Sequence, residues 1–313
     1  MMAADMREVY AQTLISLAAE NSNICVLEAD LMGATGTKVF KEKFPGQFIN
    51  VGVAEANLVG VAAGLSSEGK IPFAATFGTF ASRRAFDQFF LSANYAKLNV
   101  KLVGTDPGVT AQFNGGTHMP FEDTGMMRLI PGLTIVEPCD TVSCERLIRL
   151  AAQHPGSMYI RLHRKGSQKI YDENAEFTLG KGMVLRDGSD VTLIASGFVM
   201  VPEALKAAGI LKEEGIDAAV IDMHTVKPLD GELVLSYAKK TGAIVTCENH
   251  QVTGGLGGAV AEYLSSEYPV PVSRIGAQDV FGQVGTLDFL MKEYRLLATD
   301  IAEAARAVIK KKH

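Results

Sequence analysis

Apolar positions along the chain switch repeatedly between two periods. Met6, Val9, Tyr10, Thr13, Leu14, Leu17 and Ala18 recur at helical spacing, and Ile24-Cys-Val-Leu27 follows as a short unbroken run of the kind a strand covered on both faces requires. Further strands are expected at Phe48–Val51, Ile71–Thr76, Val100–Thr105, Thr134–Glu137 and Met158–Leu162, with helices between them at Ala54–Glu68, Ser82–Lys97, Phe121–Leu129 and Thr141–Gln153. From Leu162 to Asp190 the period is lost and charge accumulates. A second alternation then runs through strands Val191–Ala195, Ala218–Asp222, Ala243–Cys247 and Val270–Ile275, with helices near Met200–Glu214, Gly231–Lys240, Gly257–Glu267 and Ile301–Lys312. Such alternation predicts two three-layer α/β domains with mostly parallel sheets, at 1–165 and 189–313, joined by a linker at 166–188.

One polar position breaks the pattern. In Ile49-Asn-Val-Gly-Val-Ala-Glu-Ala-Asn-Leu-Val-Gly-Val-Ala-Ala-Gly-Leu65, Glu55 is the lone carboxylate in an otherwise largely apolar, Gly- and Ala-rich run. An unpaired buried carboxylate is strongly disfavoured, so it finds a partner or takes up a proton. Gly52 reads as the turn between strand and helix, which puts Glu55 in a helix's first turn at a junction where ligands bind. The plainer alternative is a solvated carboxylate complementing the helix dipole.

Composition narrows the class. With 313 residues the chain suits two domains of roughly 150 residues each, and 47% hydrophobic against 21% charged residues describes a folded chain rather than a disordered one. A net charge of -5 gives no electrostatic case for nucleic acid. The start Met-Met-Ala-Ala-Asp-Met-Arg-Glu lacks the apolar core of a signal peptide, and no run approaches a membrane span, so a cytoplasmic protein is expected. Cys25, Cys139, Cys144 and Cys247 show no metal-ligand spacing and are expected as reduced, mostly buried thiols; no metal ligands are assigned. The tail Lys310-Lys-Lys-His313 reads as a solvated helix end.

Four other stretches carry candidate chemistry. Phe77 and Phe80 end a strand beside Gly78, with Arg83 and Arg84 opening the next helix; they can stack on a planar heterocycle or belong to the core. The long polar loop Gly104–Glu122 contains His118, an acid/base or hydrogen-bond donor if not a structural histidine. Arg161 and Arg164, at a strand end, can fork onto a phosphate or carboxylate or simply face water. Gly254-Gly-Leu-Gly-Gly258 precedes a helix and can hold an anion, but matches neither a P-loop nor Gly-x-Gly-x-x-Gly.

Taken together, these residues resemble the C-terminal half of transketolase: the pyrimidine-binding domain of a thiamine-diphosphate enzyme followed by the family's C-terminal domain. The resemblance covers nearly the whole chain. It is most specific in Val51-Gly-Val-Ala-Glu-Ala-Asn57, Gly116-Thr-His-Met-Pro-Phe-Glu122, Glu137-Pro-Cys-Asp140, Asp222-Met-His-Thr-Val-Lys-Pro-Leu-Asp230 and Glu248-Asn-His-Gln-Val-Thr-Gly-Gly-Leu-Gly257. It implies that Glu55 hydrogen-bonds N1′ of the cofactor's aminopyrimidine, favouring the 4′-imino form that takes the proton from thiazolium C2. It also implies that Phe77 and Phe80 pack around that ring with Gly52 and Val53 beside it, and that His118 meets substrate oxygens. Arg7 and Arg164 match arginines that bind the sugar phosphate, with Asp30 and Asn114 as further substrate residues.

The family binds the diphosphate and Mg²⁺ through Gly-Asp-Gly followed by Asn in a separate N-terminal domain, and no such motif occurs in this sequence. A split enzyme is therefore expected, in which an N-terminal transketolase subunit supplies the diphosphate and metal site. The resemblance further implies a homodimer of this chain within an α2β2 assembly acting on sugar phosphates. Asn114 stands where transketolases usually carry an acidic residue, and Ala34 where a phosphate-binding serine is common. The rival readings are the β subunit of a 2-oxoacid dehydrogenase's decarboxylating component, a deoxyxylulose-phosphate synthase fragment, and a non-catalytic assembly subunit. Retention of Glu55, Phe77, Phe80 and His118 together argues against the last.

Overall fold

Two sheets, each sandwiched between helices, carry the chain, which is described for residues 5–166 and 168–312 in a computed structural model. Met1–Ala4, Ser167 and His313, which include the first residues of the N-terminal stretch and the end of the basic tail, lie outside the described residues. The first sheet contains β1 (Ile24–Glu28), β2 (Phe48–Asn50), β3 (Ile71–Phe77), β4 (Lys101–Thr105), β5 (Thr134–Val136) and β6 (Met158–Leu162). The second contains β7 (Met183–Arg186), β8 (Val191–Ala195), β9 (Ala218–Asp222), β11 (Ile244–Gln251) and β12 (Val272–Ala277). Between β9 and β11, β10 (Thr225–Lys227) crosses back and pairs antiparallel with β5. The orders are β10-β5-β6-β4-β3-β1-β2 and β12-β11-β8-β9-β7, parallel except at β10–β5 and β7–β9.

Every residue of β1, β4, β6, β8 and β9 is buried, which is why these strands read as mainly apolar, with Glu28, Lys101, Arg161 and Asp222 as buried charged exceptions. Helices Met6–Glu20 and Thr141–Gln153 cover one face of the first sheet, and helix Glu55–Ser67 covers the other. Asp140 starts the helix Thr141–Gln153 with a capping box, accepting from the Ser143 amide at 2.8 Å while Ser143 Oγ accepts from the Asp140 amide at 3.0 Å.

The elements differ from the sequence pattern in instructive places. The helix expected at Ser82–Lys97 is three pieces: Gly78–Arg83, Phe86–Gln88 and a π-helical turn at Phe89–Tyr95, where Asn94 Nδ2 donates to the Phe89 carbonyl at 2.7 Å. Arg83 and Arg84 therefore close a short helix rather than open a long one. Within the stretch expected as linker, Met183–Arg186 forms the antiparallel edge strand of the second sheet. The cysteines are free and buried.

Where the two halves meet, Arg161 on β6 is 1% exposed and surrounded by acceptors. Its Nε and Nη2 contact the two Asp123 oxygens at 2.9 and 3.1 Å, and its Nη1 donates to Glu137 at 2.7 Å. The same guanidinium donates to the Asn249 carbonyl of β11 at 2.7 Å, and Ser196 of the second half donates to Glu137 at 2.9 Å. Burial by itself would raise the Asp123 carboxyl, but the Arg161 charge and hydrogen bonds hold it below the ordinary range. A second buried acid has no such cation: Asp222 accepts from Tyr171 at 2.7 Å and Cys139 at 3.4 Å, and burial pushes its carboxyl up to about 7 despite those bonds.

These arrangements make two stability predictions. Arg161→Ala strands two buried carboxylates and should cost about 3–5 kcal/mol, seen as a large fall in the urea midpoint; an unchanged midpoint would show that the network does not tie the halves together. For Asp222 the folded value lies above the unfolded one of about 4, so its contribution is complete below about pH 4 and is lost as pH rises through about 7. Asp222→Asn should therefore gain stability relative to the parent between pH 5 and 8, measured as the difference in thermal midpoints. A constant difference across that range would contradict the assignment.

Candidate active site

The carboxyl ends of β1, β2, β3 and β4 converge and carry most of the residues of interest, with Arg164 following the neighbouring β6 and Arg7 in the first turn of helix Met6–Glu20, as expected at the ligand-binding edge of a parallel sheet. After β2, Gly52 takes φ +75°, a left-handed turn that glycine adopts without strain, and the next helix starts at Glu55 itself. Glu55 is 5% exposed, while Arg84, at 3.3 and 3.4 Å from its two oxygens, is 53% exposed. Among the described residues this buried carboxyl is thus partnered only by long contacts to a half-exposed guanidinium. Val53, 73% exposed, presents an apolar surface at the lip of this site.

An aromatic wall stands beside the carboxylate. Phe77 ends β3 and Phe80 lies in the helix Gly78–Arg83 that follows, with ring centroids 6.1 Å apart. The His118 ring meets both edge-on, at 5.8 and 5.1 Å, and the Arg84 guanidinium lies 4.0 Å above Phe80. Thr117 Oγ1, 2.9 Å from His118 Nδ1, orients the imidazole, and Thr79 Oγ1 donates to the Thr117 carbonyl at 3.3 Å.

The loop carrying His118 is folded, not slack. It forms two 3₁₀ turns, Gly108–Asn114 and Gly116–His118, and the second half of the chain grips it. Asn249 accepts from the Val109 amide and donates to the Pro107 carbonyl, both at 2.9 Å, and Arg161 reaches the Pro120 carbonyl at 3.4 Å. At its end Glu122 pairs with Arg83.

The charged residues form a second group. Arg164 is clamped by Asp106 at 2.5 Å and sits 5.3 Å from the Phe77 ring centroid. Burial raises the Asp106 carboxyl above its ordinary value, and the Arg164 charge opposes that rise. The Arg7 amide donates to the Arg164 carbonyl at 3.0 Å, placing the two arginines side by side along the backbone. Asp30, at φ +62°, exchanges bonds with Asn50: its amide donates to Asn50 Oδ1 at 3.0 Å and its carboxylate accepts from Nδ2 at 2.9 Å. Asn50 Oδ1 also accepts from the Gly52 amide at 3.1 Å. Asn114 is exposed on the loop.

Glu55, Phe77, Phe80, His118 and Arg164 are therefore brought together, Arg7 adjoins them through Arg164, and Asn50 ties Asp30 to Gly52. Two candidates lie elsewhere. Arg161 forks onto carboxylates, but internal ones, so it is unavailable to a ligand. The glycine run Gly254–Gly258 does hold an anion at a helix start, but the anion is the chain's own Glu248, accepting from the Leu256 and Gly257 amides at 2.7 and 2.9 Å. Sequence reasoning missed the pairing of Arg84 with Glu55, the Asp106 clamp and the Asn50 bridge. Arg84 and Asp106 lay inside stretches already singled out, but only the turn geometry aims them at their partners.

Comparison with known proteins places this arrangement. Residues 2–168 match the family model described as the transketolase pyrimidine-binding domain, and residues 180–301 match the transketolase C-terminal domain. The chain is 51% identical over 308 residues to a 6-deoxy-6-sulfo-D-fructose transketolase subunit of Clostridium sp. (strain MSTE9), covering 98% of this chain and 95% of that protein. It is 36% identical to one of the subunits of an apulose-4-phosphate transketolase from Phocaeicola vulgatus, over 97% of each. Among solved structures it is similar to a split-gene transketolase described as an inactive β4 tetramer, with 44% identity, a TM-score of 0.93, and coverage of 99% of this chain and all of that one. The chain belongs to the transketolase family of thiamine-diphosphate-dependent enzymes, as a pyrimidine-binding domain followed by the family's C-terminal domain.

Proposed function

We propose that the chain is the C-terminal subunit of a two-chain transketolase and moves a two-carbon ketol unit from a ketose to an aldose. The observation that carries this reading is the buried Glu55 carboxylate beside the Phe77–Phe80 wall, with His118 edge-on to both rings. Its donor set fits one edge and one face of an aminopyrimidine. Glu55 would hydrogen-bond ring N1′, donating to the bare nitrogen of the amino form or accepting from the N1′–H of the imino form, with Arg84 beside it. Phe77 and Phe80, with Gly52 and Val53, would pack the ring and exclude water, and His118 would donate to or accept from substrate oxygens. Thiamine diphosphate, when bound, supplies the carbanion-stabilising chemistry.

An anionic sugar suits the other end of the site. Two relatives are named for sugars bearing a sulfo or a phosphate group, and Arg7 and Arg164 offer adjacent cations for such a terminus, with Asp30 and Asn114 on the polar wall. The diphosphate and Mg²⁺ would be held by an N-terminal subunit, two copies of each chain forming an α2β2 assembly with the site at their interface. The β4 description of a similar structure as inactive is consistent with a β-type chain that needs its partner.

Mixing the chain with its candidate partner, thiamine diphosphate and Mg²⁺ should yield ketol transfer between anionic sugars; a formed complex that transfers from no ketose donor would sink the enzyme reading. Glu55→Ala should lower kcat by about 10²–10⁴-fold, the worth of a positioned acid/base group, while circular dichroism and partner binding stay at parental values. A parental rate would refute its role. Arg164→Ala should raise KM for the anionic sugar roughly ten- to hundredfold at near-constant kcat, the effect of losing a hydrogen bond to a charged group; an unchanged KM would remove Arg164 from the substrate site.

A further inference from the structure

Glu28, the last residue of β1, is fully buried, and the cluster around Glu55 makes no use of it. Its Oε1 accepts from Thr35 Oγ1 at 2.6 Å and Thr37 Oγ1 at 2.7 Å, and the two hydroxyls lie 3.1 Å apart. Its Oε2 is buried without a hydrogen-bond partner among the described residues, and so is the Tyr10 hydroxyl, which lies near enough to feel the Glu28 charge. Where Asp123 and Glu137 face Arg161, the described partners of Glu28 are hydroxyls alone. Burial accordingly pushes this carboxyl up to about 7, with the threonine bonds pulling it down. Glutamate is a costly way to anchor two threonines, so the anchored segment is where its use should lie.

That segment, Leu31–Thr37, joins two substrate candidates. It begins next to Asp30, whose backbone is held at φ +62°. Near its end stands Gly36, φ +82°, where a Cβ would lie 3.0 Å from the Arg7 carbonyl oxygen, so the segment packs directly on the backbone that presents Arg7. Between it and helix Met6–Glu20 lies a cleft of about 730 Å³, lined by Arg7, Thr13, Gly33, Gly36 and Arg149 among others. We propose that Glu28 is a positioning residue: by accepting both threonine hydroxyls it holds Leu31–Thr37 in the form that seats Arg7 and Asp30 toward the sugar. The inference rests on the reading of those two residues as substrate-facing.

The test uses Glu28→Ala, Glu28→Gln and Thr37→Val in the assembled two-chain enzyme. Thr37→Val, which loses one positioning hydrogen bond, should raise KM for the anionic sugar about tenfold, and Glu28→Ala, which loses two, at least as much, with kcat within about twofold in both. Glu28→Gln, whose amide oxygen still accepts both hydroxyls, should restore KM. Amide hydrogen exchange at residues 33–37 should quicken in the first two variants and return to the parental rate in the third. Unchanged exchange in folded Glu28→Ala, a kcat that falls as far as KM rises, or Glu28→Gln as impaired as Glu28→Ala would each overturn the proposal. If Glu28→Ala does not fold, Thr37→Val decides by the same readouts. A parental assembly without ketol transfer overturns the functional reading, and the exchange rates then decide alone whether Glu28 holds the segment.

Discussion

A single buried guanidinium holds the two halves of the chain in register. Arg161 is enclosed by Asp123, Glu137 and the carbonyls of Pro120 and Asn249, which belong to both halves of the chain. Burying three charges is costly unless geometry and hydrogen bonding are complete, and here nearly every valence is met: Tyr159 bonds to Asp123 and Ser196 to Glu137. The consequence is positional. With Pro120 and Asn249 fixed, the turns carrying His118 cannot drift from the aromatic wall at the end of β3.

The fold distributes its charges unevenly, and the unevenness separates structure from chemistry. Arg161 and its acids are mutually satisfied, and the Gly254–Gly258 helix start is closed by Glu248. Glu55 and Glu28 are different. Among the described residues, one has only long contacts to a half-solvated arginine, and the other only hydroxyls. Incompletely compensated carboxylates at the carboxyl edge of a parallel sheet are what a cofactor and substrate site requires. The Glu55 carboxylate, the apolar lip at Val53 and the ring faces of Phe77 and Phe80 together offer a polar edge and an apolar face to a flat ring.

Much of this was legible in the sequence because periodicity reports burial. The mainly apolar runs of β1, β4, β6, β8 and β9 announced strands covered on both faces, and Glu55 stood out as the lone carboxylate in a largely apolar run. What escaped has physical causes. Three-residue β10 is too short to show a period, and its pairing with β5 is a long-range event. The expected Ser82–Lys97 helix carried a helical pattern that a side-chain bond at Asn94 and the turn after Arg83 override. Arg161 and Arg164 look equivalent three residues apart, yet β6 sends one into the core and ends before the other.

If Glu55 acts on the cofactor's aminopyrimidine in a site completed by a second chain, the step it governs is loss of the proton from thiazolium C2. That step is read as proton exchange at C2 of thiamine diphosphate bound to the mixed assembly, followed by quench and NMR. Exchange should be rapid in the parent and slowed by about 10²–10⁴-fold in Glu55→Gln at equal cofactor occupancy. Equal exchange rates in the two assemblies would contradict the role given to Glu55.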